Sequence, residues 1–117
     1  LTERNVTIIV AITHCGYPRD LEIIEQVPEL DLIVGGHTNT FLYHGDSYPS
    51  ENKPEGDYPT VVNRTDGSRG LVVQAYYYGK FLGFLNVVFN AAGNVTHWSG
   101  NPILLNSSIA EGKYSNM

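Results

Sequence analysis

Two short apolar runs, at residues 6–13 and 31–34, flank an amphipathic segment, and this arrangement limits the fold more than any other feature. Both runs are rich in β-branched residues and short for helices, so each predicts a buried β-strand. Between them, Pro18 suits the first turn of a helix and Pro28 ends it. The pattern therefore predicts a βαβ crossover, whose two strands are parallel.

A histidine follows each of these strands. His14 follows the first, and His37 follows the second within a Gly-Gly-His-x-Asn sequence whose glycines allow close approach of backbone and ligand. Because parallel strands end at the same edge of a sheet, we expect both histidines at the edge where open α/β sheets bind ligands. Neutral imidazole is a common metal ligand, and Asn39 adds an amide oxygen. The residues leave two interpretations open, a metal site and a pair of hydrogen-bonded structural histidines.

The ligand set is incomplete on either interpretation, because zinc sites use at least three protein ligands. Asp20 and Asp31 are poor candidates, since one lies on the predicted helix and the other precedes its strand. His44 falls in a long loop and His97 in a predicted β-segment, so neither is expected at the site.

The rest of the chain predicts a loop followed by antiparallel β-structure. Residues 40–59 contain several prolines and glycines and form a long irregular loop, with residues 41–43 expected to fold back on the core. Further strands are predicted at residues 60–62, 71–75, 84–89, 95–99 and 103–105. The three tyrosines at residues 76–78 could stack a nucleobase, but packing on alternate faces of a strand is favoured. The fold class is α/β.

Size and charge narrow the possible functions. With 117 residues, the chain is one domain or a piece of one. Its only methionine is Met117 and it opens almost directly on a strand, so we expect a fragment of a longer protein. A net charge of −5 with scattered basic residues argues against nucleic acid as a partner. No apolar run approaches the ~20 residues of a membrane span.

The cysteine and asparagine residues bear on the compartment. A single cysteine, Cys15, excludes an internal disulfide and is expected to be a buried free thiol. Four Asn-x-Ser/Thr sequences favour a secreted or cell-surface protein. Asn94, in a predicted turn, and Asn106, in a polar loop, are the suitable glycosylation acceptors.

Three longer strings carry a resemblance to a known family. They are Gly-Gly-His-Thr-Asn-Thr-Phe-Leu-Tyr at residues 35–43, Val-Gln-Ala-Tyr with Gly-Lys-Phe-Leu-Gly at residues 73–83, and Gly-Asn-Pro-Ile-Leu-Leu-Asn-Ser-Ser at residues 100–108. In these strings the chain resembles the 5'-nucleotidase/apyrase family of metallophosphoesterases, and in particular the ecto-5'-nucleotidases. The resemblance covers almost the whole chain.

The resemblance implies a fold and a set of metal ligands. The fold is a β-sandwich flanked by helices, and residues 1–117 would be the C-terminal half of this catalytic domain. Two divalent metal ions, expected to be zinc, would be held in part by His14 and His37. Asn39 would add an amide oxygen at the metal and substrate site. The family's remaining ligands, an Asp-x-His motif, a bridging Asp and an Asn-His pair, would precede this chain, and the nucleoside-binding domain would follow it.

The resemblance also implies an activity. The whole protein would hydrolyse AMP to adenosine and phosphate, while this chain alone would be inactive. Alternatives are an apyrase that hydrolyses ATP and ADP, and a non-catalytic relative that binds nucleotide or metal. The nucleotide substrate is the expected partner. A lipid-anchored or secreted extracellular protein and a homodimer are both compatible with the family.

Overall fold

The computed structural model describes residues 2–107 of the chain. A 3-10 turn at Thr2–Arg4 precedes the regular elements. Among the described residues, no helix has the length and apolar character needed to cross a membrane. The elements, in chain order, are β1 (Val10–Ile12), α1 (Tyr17–Gln26), β2 (Leu32–Val34), β3 (Thr60–Asn63), β4 (Arg69–Val73), β5 (Phe81–Phe89) and β6 (Val95–Leu104).

The predicted βαβ crossover is present, and the predicted α/β fold class is confirmed. The main sheet has the strand order β1-β2-β4-β3. Strand β2 lies parallel to both β1 and β4, and β3 pairs antiparallel with β4 as a hairpin. Strands β5 and β6 form a separate antiparallel pair. Three parallel strands therefore end at one edge of the main sheet.

Helix α1 covers one face of this sheet. It begins after Gly16, carries Pro18 in its first turn and ends before Pro28, as the sequence predicts. Its Ile24 is fully buried against Ile33 of β2 and Val72 of β4. The burial of these apolar side chains fixes the helix across the parallel strands.

A buried arginine ties the end of α1 to the β3–β4 turn. Arg64 is 8% exposed, and its guanidinium donates to the carbonyls of Ile24 at 2.8 Å, Pro28 at 3.2 Å and Leu30. It also donates to Ser68 Oγ at 3.1 Å. Ile24 lies in the last turn of α1, where carbonyls have no partner within the helix, so the guanidinium caps it and also binds two carbonyls of the segment that follows.

The long loop covers part of the opposite face. Leu42 and Tyr58 from the loop pack against Val73 of β4, with Leu85 of β5 at their border. Phe41 is 1% exposed, so the loop folds back on the core as expected. Burial raises the pKa of Tyr58 to about 12.

The expectation of a buried strand over residues 6–13 is wrong in extent and in burial. The strand spans only Val10–Ile12, and alternate apolar side chains stay exposed, with Ile8 at 44%, Val10 at 49% and Ile12 at 88%. The physical reason is that Ala11 packs against the buried side chains of Ile24, Ile33 and Val72, whereas no described element covers the other face of β1.

Two further expectations are corrected. The predicted strands at residues 95–99 and 103–105 merge into one strand, β6, which ends at Leu104 and pairs with β5 along its length apart from one register shift. The tyrosines do not alternate across a sheet. Tyr76 and Tyr78 have φ values of 66° and 52°, which are incompatible with the extended backbone of a strand, and Tyr78 is 95% exposed.

Candidate functional site

The carboxyl edge of the parallel strands gathers polar residues from three separate segments. Thr13 follows β1, Gly35 follows β2 and Gln74 follows β4. The sheet continues one residue past the strands, since Thr13 N donates to Val34 O at 3.0 Å and Gly35 N donates to Val73 O at 2.8 Å. Rigid strands therefore lead directly into the loops that carry the predicted site residues.

His14 and His37 meet at this edge, as the sequence predicts. Their ring centroids are 5.1 Å apart and the rings are inclined by 70°. Both residues are exposed. Asn39, two positions after His37, is also exposed at the same loop. The two imidazoles are therefore accessible from solvent and close enough to face one ligand.

The loop that carries His37 has an unusual backbone. His37 and Asn39 have φ values of 77° and 53°, in the left-handed region that residues other than glycine rarely adopt. Between them, Thr38 Oγ1 accepts a hydrogen bond from Tyr17 N at 3.0 Å, at the first residue of α1. Thr38 Oγ1 also shares a hydrogen bond with Thr40 Oγ1 at 2.8 Å. The His37 loop is thereby attached to the start of the helix.

A buried glutamine supports the same loop from below. Gln74 is 2% exposed; its Nε2 donates to Gly36 O at 3.0 Å and to Thr38 Oγ1 at 3.3 Å, and its Oε1 accepts from Thr40 N at 3.0 Å. Gln74 has no role among the sequence-based expectations. The only indication of this role in the sequence is that a polar residue directly follows the apolar residues 71–73 of β4.

A buried aspartate supports the loop that carries His14. Asp20 is fully buried, and its Oδ1 accepts from Thr13 Oγ1 at 2.7 Å and from Cys15 Sγ at 3.4 Å. Among the described residues, its Oδ2 has no hydrogen-bond partner. From the sequence, Asp20 is only a poor candidate for a metal ligand, and a helix pattern alone gives no sign of this contact.

Side chains of the protein itself lie close to the two glycines before His37. A Cβ on Gly35 would overlap Asp20 Oδ2, and a Cβ on Gly36 would lie 3.2 Å from His14 Nδ1. The close approach that the sequence assigned to a ligand is therefore made, in this structure, by Asp20 and His14.

Cys15 is a free thiol, as expected, but the expectation that it is buried is wrong. It is exposed, because it lies in the loop between β1 and α1 and only its sulfur reaches towards Asp20.

The remaining polar candidates lie elsewhere. His44 Nδ1 contacts Asp57 Oδ1 at 3.1 Å in the long loop, and His97 is exposed on β6. Asp31 lies before β2, where its Oδ2 accepts from Ile9 N at 2.8 Å. Burial raises the pKa of Asp31, and the bond from Ile9 opposes that rise. The structure thus keeps Asp31 away from the two histidines, as the sequence predicts.

The donor set at the edge fits part of a metal site. Two imidazoles and an amide oxygen are donors that suit zinc and related divalent ions. Within residues 2–107, however, no group of three or more histidine, cysteine or acidic side chains is placed to hold a metal ion. The described residues fit a metal as contributors to a larger ligand set, and the roles of His14, His37 and Asn39 as ligands stay predictions.

The predicted glycosylation acceptors are accessible. Asn94 is exposed at the turn between β5 and β6, and Asn106 is exposed after β6. The last residue of the second sequence, Ser108, lies outside the described residues.

The mixed sheet defines an α/β fold, and the histidine pair at the carboxyl edge of its parallel strands is a candidate ligand site. No family model matches the chain. It is 54% identical over 111 residues to a snake venom 5'-nucleotidase of Macrovipera lebetinus, and 50% identical over 107 residues to the 5'-nucleotidase of Homo sapiens. These alignments cover 95% and 92% of this chain, but only 27% and 18% of the two relatives.

A solved structure gives the same result for the fold. The 5'-nucleotidase precursor from Thermus thermophilus superposes with a TM-score of 0.80 at 38% identity, over 89% of this chain and 20% of that one. Over the segment that it covers, the chain is homologous to 5'-nucleotidases, which are enzymes. It spans about a fifth to a quarter of the length of these relatives.

Proposed function

We propose that this chain is part of a metal-dependent phosphohydrolase that hydrolyses nucleoside 5'-monophosphates, AMP among them, to nucleoside and phosphate. The observation that carries the proposal is the meeting of His14 and His37 at 5.1 Å, in a chain about half identical to 5'-nucleotidases. A structural histidine pair would be expected to be buried and hydrogen-bonded, whereas both of these residues are exposed.

The proposed roles follow from the chemistry of each side chain. Neutral imidazoles of His14 and His37 would hold a divalent cation, for which zinc is the best match to nitrogen donors. The amide oxygen of Asn39 would either join the ligands or hold a phosphate-bound substrate. When bound, two such cations would activate water and stabilise negative charge on the phosphate. The chain itself orients the donors through its strand ends.

We further propose that residues 1–117 are part of one metallophosphoesterase domain and are inactive alone. Two imidazoles fall short of the three protein ligands that zinc sites use. The additional ligands would then come from a segment outside this chain. An exposed apolar row on β1, including Val10 and Ile12, is a surface on which such a segment would pack.

We propose an extracellular location, with nucleotide as the partner that the site binds. Two observations support it, exposed Asn-x-Ser/Thr acceptors at Asn94 and Asn106 and a relative named for venom. Secretion and lipid anchoring are both compatible with this location.

The test compares substrates and metals in the full-length protein that carries this chain. Phosphate release should be seen from AMP, should stop after chelation and should return on adding zinc. Preference for ATP and ADP would instead indicate an apyrase. Binding of nucleotide without phosphate release would indicate a non-catalytic relative. The isolated 117-residue chain should release none, and metal-dependent hydrolysis by it would contradict the fragment proposal.

A further inference from the structure

We propose that Asp20 and Gln74 are positioning residues that fix the distance and orientation between His14 and His37. The inference rests on the proposed function, since it assigns these two buried side chains to the same metal site. Neither is proposed to touch the metal or the substrate.

The contacts of Asp20 point to the His14 loop. Both hydrogen bonds to its Oδ1 come from residues that flank His14, namely Thr13 at 2.7 Å and Cys15 at 3.4 Å. Burying a carboxyl oxygen that has no hydrogen-bond partner destabilises the folded state, so filling space does not account for an aspartate here. Its side chain instead fixes the loop on both sides of one imidazole.

The contacts of Gln74 point to the His37 loop in the same way. Its three hydrogen bonds end on Gly36, Thr38 and Thr40, which lie on both sides of His37. This loop holds His37 in a left-handed backbone conformation, and such conformations persist only where surrounding contacts impose them. Gln74 supplies these contacts from the end of β4.

The two supports meet at a single residue. Gly35 lies between them, since a Cβ there would overlap Asp20 Oδ2 and would lie 3.3 Å from Gln74 Cγ. The imidazole of His14 packs in turn over Gly36. A shift of either buried side chain would therefore move Gly35 and change how the two imidazoles face each other.

Metal geometry gives this arrangement its importance. Zinc–imidazole bonds are about 2.0–2.1 Å long, and workable sites hold them within about 0.2 Å. Removing residues that orient metal ligands typically lowers metal affinity or activity by roughly 10–100-fold. Losing Asp20 or Gln74 should fall in that range.

The experiment uses the full-length protein with Asp20→Ala and Gln74→Leu, and the conservative Asp20→Asn, whose oxygen can still accept from Thr13. Val95→Ala serves as a matched control, because Val95 is a buried apolar residue of β6 in the other sheet. Metal-free protein is titrated with Co²⁺, which gives the Co²⁺ affinity and the absorption spectrum of the bound ion. The other readouts are the melting temperature without metal, and kcat and KM for AMP.

We expect Asp20→Ala and Gln74→Leu to lower Co²⁺ affinity roughly 10–100-fold. Both should reduce kcat by a larger factor than the factor by which KM changes. Asp20→Asn should recover most of the affinity, and Val95→Ala should lower the melting temperature alone. If Asp20→Ala does not fold, the two single variants Asp20→Asn and Gln74→Leu test the inference instead. Unchanged affinity in folded Gln74→Leu, or an equal loss in Val95→Ala, overturns this inference. If the native protein binds no metal, the proposed function fails together with this inference. If the native protein binds metal and the variants bind it equally well, only this inference fails.

Discussion

The imidazoles of His14 and His37 meet edge to face, with ring centroids 5.1 Å apart, although they follow two different strands. The βαβ crossover brings them together, because β1 and β2 are parallel and end at the same edge. Short loops then place each ring within two or three residues of its strand.

His37→Ala should lower bound metal and AMP hydrolysis together in the full-length protein. A ligand lost outright should cost more than the roughly 10–100-fold typical of residues that only orient ligands. The measurements are zinc content after dialysis and phosphate release. His97→Ala, an exposed histidine on β6, is the matched control and should change neither. Unchanged zinc content in His37→Ala would remove that residue from the ligand set.

Gly35→Ala should destabilise the protein by about 1–3 kcal/mol, because its Cβ would overlap Asp20 Oδ2. Combining it with Asp20→Ala removes the obstructing carboxylate, so the double variant should lose less free energy of unfolding than the sum of the two single variants. Denaturant unfolding of the native protein and the three variants measures this coupling. Additive losses would show that Asp20 is not the side chain that excludes a larger residue.

Arg64→Met should lower the free energy of unfolding by about 3 kcal/mol. The guanidinium is buried and caps several carbonyls at the end of α1, which would be left without partners. Arg19→Met is the control, because its ion pair with Glu22 is exposed and such pairs contribute about 1 kcal/mol or less. Equal losses in the two variants would contradict the capping role.

Stability should fall between pH 10 and pH 12 in part through Tyr58. Burial raises its pKa from 10.0 to about 12, so the folded protein keeps a proton that the unfolded chain releases. The contribution of Tyr58 is therefore complete below about pH 10 and declines by about 1.4 kcal/mol per pH unit above it. Tyr58→Phe should give a flatter dependence of unfolding free energy on pH over this range. Parallel curves for the two proteins would refute the assignment.

Asn94 and Asn106 should carry glycans when the protein is expressed through the secretory pathway. Both are exposed and lie at turns or loop positions that an oligosaccharide can occupy. Mass spectrometry after enzymatic deglycosylation should detect conversion of each asparagine to aspartate. Asn90, an exposed turn residue outside any acceptor sequence, should remain unmodified.

The sequence predicted the crossover and the meeting of the histidines, because both depend on chain-local rules. Apolar periodicity, prolines at the helix ends and the parallel direction of a βαβ unit need no knowledge of distant contacts. For the same reason His14 and His37 could be assigned to one edge before any distance was known.

The supporting residues could not be predicted in this way. Asp20 appears on the helix as one more acidic residue, and its burial depends on where the loops after β1 and β2 cross above it. Gln74 contacts residues more than thirty positions earlier in the chain. Such partnerships come from tertiary packing, which local patterns do not encode.

Strand β1 is an edge strand of the main sheet, and its last residue, Ile12, is 88% exposed. An unpaired edge with apolar side chains is a template for any extended chain that reaches it. At the β1 edge, pairing with a segment of the same protein then competes with pairing between molecules. In the longer protein proposed above, the rate at which a neighbouring segment covers that edge would influence solubility as much as the stability of the sheet itself.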